Sequence, residues 1–241
     1  MTFLKSIRSE PDLVDPSKFP FSIPFLSTGL NLEFTSNVTF FVGENGSGKS
    51  TLLEAIADGC GFNHSGGNRN LTYSSSDGES NLTAALRFSW MPKVTNGFFM
   101  RAESFYNFAT YIDQMAEEDS SILQGYGGKS LHQQSHGESF LSLFVNRFNR
   151  GIYILDEPEA ALSPNRQLSF MALIHQLETS GKAQFIIATH SPILLSYPDS
   201  VIFSLDAEEI SQVTVQQTEH YRVTRDFLDK PDRFFRHLFA E

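Results

Sequence analysis

Nine consecutive residues, 43–51, combine glycines with a lysine and a serine at a spacing suited to holding phosphate groups. Within them, Gly43, Gly48, Lys49 and Ser50 fit G-x-x-x-x-G-K-[ST] without a mismatch. Glycine lets successive backbone N–H groups curl around phosphate oxygens, Lys49 adds a positive charge, and the Ser50 hydroxyl can ligate Mg²⁺. The apolar segment before the pattern predicts a buried strand, and the segment after it predicts a helix whose positive end faces the anion. The candidate phosphate-binding residues are Gly43, Glu44, Asn45, Gly46, Ser47, Gly48, Lys49, Ser50 and Thr51.

Two carboxylates follow a second apolar segment, and their chemistry complements a triphosphate site. Residues 152–155 predict a buried strand that ends at Asp156 and Glu157. If this strand runs parallel to the first and beside it, both acids reach the γ-phosphate side of the loop. Asp156 then suits the Mg²⁺ site through the water shell of the ion, and Glu157 suits a general base or a water-positioning group. The alternative is a pair of acids that only caps the end of a strand.

The composition limits the class of protein and its partners. A chain of 241 residues suits one large domain, or a domain with a small subdomain. The net charge of −10 argues against a protein that coats nucleic acid, although a local basic patch is compatible with it. The single cysteine, Cys60, rules out an intramolecular disulfide and fits a reducing compartment. The sequence contains no secretory signal and no apolar run of membrane-spanning length, so we expect a cytoplasmic protein without direct membrane insertion.

Strand-like and helix-like segments alternate along the chain. The predicted strands are NVTFFVG, LTAALRFSW, GFFMR, GIYILDEP, AQFIIATH, VIFSL and VTVQQ. Helices are predicted after the phosphate loop, over 104–116, in FLSLFVNRFNR, and after Ser163-Pro164 and Ser191-Pro192. Residues 59–81 are rich in Gly, Ser and Asn and predict a loop. The alternation predicts an α/β fold with a mainly parallel sheet flanked by helices, and the proline-rich residues 1–37 predict an antiparallel N-terminal edge.

The C-terminal segment is predicted to be helical. The run FLDKPDRFFRHLFAE suggests a helix that restarts after Pro231. Phe234, Phe235 and Leu238 can share one face of this helix. That face is expected to dock on the core of the chain or, alternatively, on a partner.

Five segments, in this order, resemble the ABC-type ATPases. They are the phosphate loop GENGSGKS, the signature-like QSHGES, the acidic strand IYILDEP, the interface-like segment EAALSP, and ATHSP. The resemblance extends from about residue 20 to residue 205, and it includes RecF-type and SMC-type heads and small stand-alone bacterial ATPases. It implies one P-loop NTPase domain over 1–241, with approximately 104–150 as a small helical subdomain that bears the signature. Only 107 residues separate Lys49 from Asp156, which leaves no room for a long coiled coil.

The resemblance also implies a mechanism and further site residues. Two chains would pair head to tail, with each ATP and its Mg²⁺ between the phosphate loop of one chain and the signature of the other. Ser135, Gly137 and the start of the following helix would face the partner's γ-phosphate with backbone N–H groups. His190 matches the family's switch histidine, which senses the γ-phosphate, although a lone histidine at the end of a strand can also be structural.

Three features depart from the family pattern or leave alternatives open. Residues 134–138 replace the usual Leu-Ser-Gly-Gly-Gln, so that His136 stands at the first glycine, and this segment could also be an ordinary capped helix start. Glu103 stands where the family has a glutamine that contacts Mg²⁺, and it could be a metal ligand or a helix-capping acid. An aromatic residue that stacks on adenine could be Phe19, Phe21 or Phe25, each of which could instead belong to the core.

Three functions fit these features. The first is an ATP-hydrolysing switch that dimerises and is coupled to nucleic-acid repair or defence, with nucleic acid or an effector protein as the partner. The second is the energy-coupling subunit of a membrane transporter. The third is a nucleotide-binding scaffold with little turnover, against which the intact Asp156, Glu157 and His190 argue.

Overall fold

The order of strands and helices follows the alternation in the sequence. The computed structural model describes residues 2–63, 81–101, 105–133 and 136–239. Within these ranges the strands are β1 (Leu4–Ser9), β2 (Asn31–Glu33), β3 (Val38–Val42), β4 (Leu86–Trp90), β5 (Gly97–Arg101), β6 (Gly151–Asp156), β7 (Ala183–Ala188), β8 (Val201–Ser204) and β9 (Ser211–Val213). The helices are α1 (Pro24–Ser27), α2 (Lys49–Cys60), α3 (Asn81–Ala84), α4 (Phe105–Glu118), α5 (His136–Arg147), α6 (Pro164–Thr179), α7 (Pro192–Leu195), α8 (Glu219–Asp229) and α9 (Pro231–Leu238). Among the helices of these ranges, none is long and apolar enough to cross a bilayer.

The central sheet is mainly parallel, as predicted. In the described part of the chain its six strands lie in the order β5-β6-β7-β3-β8-β9. The first five strands of this order are parallel, and β9 pairs antiparallel with β8. The strand of Asp156 is parallel to the strand before the phosphate loop but does not lie beside it, because β7 separates β6 from β3. The carboxyl ends of these three strands still meet at one edge of the sheet, since parallel strands end on the same side.

The inner strands are apolar on both faces because both faces of the sheet are covered. Every residue of β3, β6 and β7 is buried. On β3, Phe40 belongs to the hydrophobic cluster that contains the aromatic residues of α4 and α5. Its neighbour Phe41 belongs to the opposite cluster, which contains the apolar residues of α2. The two-residue alternation is that of any strand, and the continuous apolar runs are typical of parallel sheets.

A layer of helices covers one face of the sheet. The apolar side chains of the segment FLSLFVNRFNR face the core: Phe140, Leu143 and Phe144 of α5, and Phe148 directly after it, are each at most 4% exposed. Phe144 packs edge-on against Phe170 of α6, with ring centroids 4.7 Å apart. The start of α5, which lies within the signature-like segment QSHGES, is next to the start of α6, where Arg166 pairs with Glu138.

A small antiparallel sheet lies on the other side and is fastened to the central sheet by one buried amide. Its strand order is β2-β1-β4, so the predicted antiparallel N-terminal region is present as a sheet of its own. Gln184 of β7 is 1% exposed, and its Oε1 accepts hydrogen bonds from the N–H groups of Phe3 and Leu4, both at 2.9 Å. Its Nε2 donates to the Leu4 carbonyl at 3.1 Å. One side chain thus satisfies three backbone groups at the start of β1.

Three predictions of local structure need correction. The segment VTVQQ is not a strand, because β9 ends at Val213 and residues Val215–Gln217 form a 3-10 turn. The segment LTAALRFSW divides into α3 and β4. The tail does not dock on the core, since α8 and α9 contain no buried residue and Leu238 is 67% exposed. Most of the loop predicted over 59–81 lies outside the described residues.

Replacing Gln184 tests its role between the sheets. We expect Gln184→Leu to lower the free energy of unfolding by about 2–4 kcal/mol, because three buried backbone groups lose their partner while most of the side-chain volume remains. Denaturant unfolding of the nucleotide-free protein measures this change. The matched control is Gln212→Leu on the exposed strand β9, which should change stability by less than about 0.5 kcal/mol. Similar losses in both variants would contradict the fastening role.

Candidate functional site

The phosphate loop joins the end of β3 to the start of α2 and needs glycine at two positions. Gly46 and Gly48 have φ angles of 83° and 96°, a left-handed conformation that other residues adopt at a cost. Gly48 also lies against the N-terminal segment, where an added Cβ would be 3.0 Å from Ile23 Cγ2 and 3.1 Å from Phe25 Cε1. The loop is therefore shaped by its glycines and supported by Ile23 and Phe25.

Lys49 lies inside this loop and is only 5% exposed. Its Nζ donates hydrogen bonds to the carbonyl oxygens of Gly43 at 2.7 Å and Glu44 at 3.0 Å. Burial lowers the pKa of the Lys49 ammonium, and the carboxylates of Glu157 and Asp156 oppose this shift. The loop thus holds a cation at its centre, where it can meet the phosphate groups of a nucleotide.

Asp156 ends β6 at the same edge of the sheet and is 4% exposed. The Ser50 side chain hydrogen-bonds to this carboxylate, and Arg101 Nε lies 3.5 Å from its Oδ2. Burial raises the pKa of Asp156, and Oδ1 has no hydrogen-bond partner among the described residues. A free carboxylate oxygen beside a serine hydroxyl fits Mg²⁺, which usually keeps several waters and takes few protein ligands. The described residues contain no group of three or more His, Cys, Asp or Glu side chains that could hold a metal ion.

Glu157 and His190 lie together at the open side of the loop. Glu157 has a φ angle of 51°, which is left-handed and uncommon for a residue other than glycine, and its N–H donates to the Ala188 carbonyl at 2.9 Å. His190 follows β7, and its Nε2 lies 3.3 Å from Glu157 Oε1. Burial, together with Lys49 and His220, lowers the pKa of His190. A carboxylate and a neutral imidazole next to a phosphate site can position a water molecule and contact the γ-phosphate.

The backbone of His190 is held by a residue that the sequence analysis missed. The His190 N–H donates to Glu159 Oε1 at 2.6 Å. Burial raises the pKa of Glu159, while this hydrogen bond and one from Thr189 oppose the shift. Glu159 belongs to the 3-10 turn Pro158–Ala161 that follows Glu157, so it ties the ends of β6 and β7 together. The signal in the sequence was its place at the start of the segment EAALSP, two residues after Glu157.

Asp206 is a second residue that the sequence analysis missed. It follows β8, and its Oδ1 accepts a hydrogen bond from the N–H of Glu44 in the phosphate loop at 2.6 Å. The Ser204 hydroxyl donates to its Oδ2 at 3.2 Å. The segment VIFSLD, an apolar strand followed by an acid, resembles IYILD of β6, so the same pattern could have identified Asp206.

The signature-like residues are only partly described. Ser135 and the candidate metal ligand Glu103 lie outside the described residues, so their predicted roles stay predictions. Gly137 lies in the first turn of α5, where an added Cβ would be 2.5 Å from Arg166 Cδ. Arg166 in turn forms an ion pair with Glu138, with Nη2 3.2 Å from Oε1. Glycine at 137 therefore allows the start of α6 to approach the start of α5.

The three aromatic candidates for adenine stacking differ in exposure. Phe21 and Phe25 are 5% and 1% exposed and belong to the core. Phe19 is 69% exposed. Of the three, Phe19 therefore has a ring face that a base could reach.

Comparisons with known proteins agree with a nucleotide site at this edge. Residues 22–124 match a family model described as "AAA domain", and residues 130–196 match a second AAA domain model, whose description also mentions the AbiEii toxin of a Type IV TA system. The chain is 21% identical over 217 residues to the petrobactin import ATP-binding protein FpuD of Bacillus anthracis, with 82% of this chain and 78% of the relative covered. It is 22% identical over 228 residues to the tungstate uptake system ATP-binding protein TupC of Campylobacter jejuni, with 83% and 67% covered.

One solved structure shows the same fold, and a second aligns with a lower score. A metal-chelate type ABC transporter in an inward-facing conformation aligns with a TM-score of 0.54 and 16% identity, over 91% of this chain and 88% of that chain. The SMC head domain of Thermotoga maritima aligns with a TM-score of 0.48 and 17% identity, over 88% and 99%. The chain is thus similar to AAA-type P-loop ATPase domains over these two ranges, and its fold is that of the ATPase part of an ABC transporter.

Proposed function

We propose that this ATPase is a switch in which two chains close head to tail around two ATP molecules. The phosphate loop with Lys49 binds the phosphates, and Ser50 and Asp156 hold Mg²⁺, which offsets phosphate charge. Glu157 positions or deprotonates the attacking water, and His190 contacts the γ-phosphate. The closing and opening of the pair act on nucleic-acid repair or on a defence effector.

The dimer is proposed because the phosphate-binding half of the site is buried, whereas the half that holds the attacking water is exposed. Lys49 and Asp156 are 5% and 4% exposed, whereas the side chains of Glu157 and His190 are 44% and 26% exposed. Hydrolysis requires an attacking water in a fixed position, and an edge open to solvent does not fix one. A surface from a second chain can cover this edge and complete the site.

The start of α5 suits that role. A helix N-terminus offers backbone N–H groups to an anion, and α5 begins directly after Ser135. Gly137 lies in its first turn, beside Arg166, whose charge is paired with Glu138. In the proposed dimer, this part of the helical subdomain 104–150 faces the γ-phosphate bound by the other chain.

The proposed coupling to repair or defence has two supports. The sequence is similar to RecF-type and SMC-type heads, and the description of the second family model mentions a toxin. The net charge of −10 restricts any nucleic-acid contact to a local patch rather than the whole surface.

A second candidate function is the energy-coupling subunit of a membrane transporter. The two curated relatives are named as ATP-binding proteins of petrobactin import and of tungstate uptake. In this case the chain binds a membrane protein, and ATP-driven dimerisation is coupled to transport instead of to nucleic acid.

Steady-state ATP hydrolysis across protein concentrations, with and without duplex DNA, separates these functions. We expect turnover per chain to rise with protein concentration, because each site needs two chains, and to rise further with DNA. A membrane protein that co-purifies with the chain, without stimulation by DNA, would favour the transporter subunit. Full turnover by an isolated monomer would overturn the dimer.

Glu157→Gln tests the hydrolytic role of Glu157. We expect it to slow hydrolysis by on the order of 10²–10⁴-fold, because the amide keeps the shape but cannot accept a proton. ATP binding should persist, and a nucleotide-dependent dimer should accumulate in size-exclusion chromatography. The control is Glu208→Gln, an exposed acid after β8, which should leave turnover unchanged. Unchanged turnover in Glu157→Gln would remove Glu157 from its proposed role.

Asp156→Asn tests the proposed metal site. Burial raises the pKa of Asp156, whereas Ser50, Arg101 and Lys49 favour its charged form, so the neutral amide relieves the buried charge but also leaves these groups without a charged partner. In thermal unfolding, we expect the additional stabilisation that Mg²⁺ gives in the presence of ATP to disappear, because the amide lacks the charge that favours the ion. Asp12→Asn, an exposed acid, is the control and should keep the Mg²⁺ effect. Retention of that effect in Asp156→Asn would contradict the proposed metal site.

A further inference from the structure

His220, in the first turn of α8, contacts His190 directly. Its Nε2 lies 2.6 Å from His190 Nδ1, and the two ring centroids are 4.6 Å apart. At this distance the two nitrogen atoms share one proton, because two lone pairs or two N–H groups would repel each other. The other ring nitrogen of His190, Nε2, lies 3.3 Å from Glu157 Oε1. The three side chains thus form a row that ends at the hydrolytic edge.

The direction of the hydrogen bond between His190 and His220 follows from the carboxylate on the other side of His190. His190 Nε2 has no hydrogen-bond partner among the described residues, and the ionised carboxylate of Glu157, 3.3 Å away, favours a proton on that nitrogen because it can only accept. Burial, Lys49 and His220 lower the pKa of His190, so its ring is neutral near pH 7 and its Nδ1 carries a lone pair. His220 Nε2–H therefore donates to His190 Nδ1. The direction of this hydrogen bond is the same for a neutral and a protonated His220, because both forms can carry a proton on Nε2.

The geometry points to His220 as a positioning residue of the ATPase site, which fixes the tautomer and ring orientation of His190. A phosphate oxygen, like a carboxylate, accepts hydrogen bonds, so the Nε2–H tautomer is also the one that can donate to the γ-phosphate. This inference rests on the role proposed for His190. It extends the site to α8, which lies outside the five segments that resemble the family.

The end of α8 that carries His220 has a defined local conformation, set by the residue that precedes the helix. Thr218 precedes α8 and is 4% exposed. Its Oγ1 donates to the Val215 carbonyl at 2.7 Å and accepts from the Tyr221 N–H at 3.4 Å, which caps the helix. His220 therefore occupies a defined position, although α8 itself buries no residue.

Two substitutions separate a hydrogen-bonding role of His220 from a packing role. His220→Gln places an amide near the position of Nε2 and keeps a donor, whereas His220→Phe keeps a ring and loses the donor. We expect His220→Phe to lower kcat about 10- to 100-fold with KM for ATP within about twofold, as when the hydrogen-bond partner of a functional histidine is removed. His220→Gln should stay within about threefold of the wild type, since the donor is retained. The matched control is His237→Phe, an exposed histidine of α9, which should leave kcat unchanged.

Two further variants distinguish failure of this inference from failure of the function on which it rests. If His190→Phe turns over normally, the proposed role of His190 is wrong. If His190→Phe is impaired while His220→Phe is normal, only the assignment of His220 is wrong. A normal kcat in His220→Phe together with a lowered kcat in His220→Gln would also overturn the assignment, because this result indicates that His220 acts through packing alone. In the double variant we expect no loss beyond that of His190→Phe, since His220 acts through His190.

Discussion

Lys49 carries its positive charge where only 5% of the residue is exposed, and the cost of that burial constrains the structure around it. An ammonium group that leaves water needs other groups to replace its hydration and its counter-charge. The carbonyl groups of Gly43 and Glu44 accept its hydrogen bonds, and the nearby carboxylates of Asp156 and Glu157 favour its charged form. The curled loop and the acids at the end of β6 are therefore parts of one electrostatic arrangement, which holds a cation before any nucleotide arrives.

The parallel sheet brings these groups together in space, although they are far apart along the chain. Because β3, β6, β7 and β8 are parallel, each ends at the same edge, and each is followed there by polar residues of the site. Their order along the sheet matters less than their common direction. This explains why Asp156 reaches the loop although β7 lies between its strand and β3.

Local patterns predicted much of the fold and the main groups of the candidate site, whereas contacts between distant segments were not predictable. The phosphate loop, the strand before Asp156 and the apolar face of α5 depend on neighbouring residues, whose spacing is visible in the sequence. Gln184 and His220 act on partners 181 and 30 residues away, and no periodicity reports such a contact. The order of the strands in the sheet also depends on pairing between distant segments, so it was not predictable from local patterns. Asp206 could have been predicted, because an acid directly after an apolar strand had already been recognised at Asp156.

The position of β3 at the centre of the sheet has a consequence for folding kinetics. This strand is formed from residues near the start of the chain, yet both of its neighbours, β7 and β8, come from the last third. Such non-local pairing requires the closure of a long loop of chain and slows folding. Until it occurs, β3 has two unpaired apolar edges that favour aggregation, and the loop that follows it has no fixed shape for a nucleotide to select. Nucleotide is therefore expected to stabilise the completed sheet without accelerating its assembly.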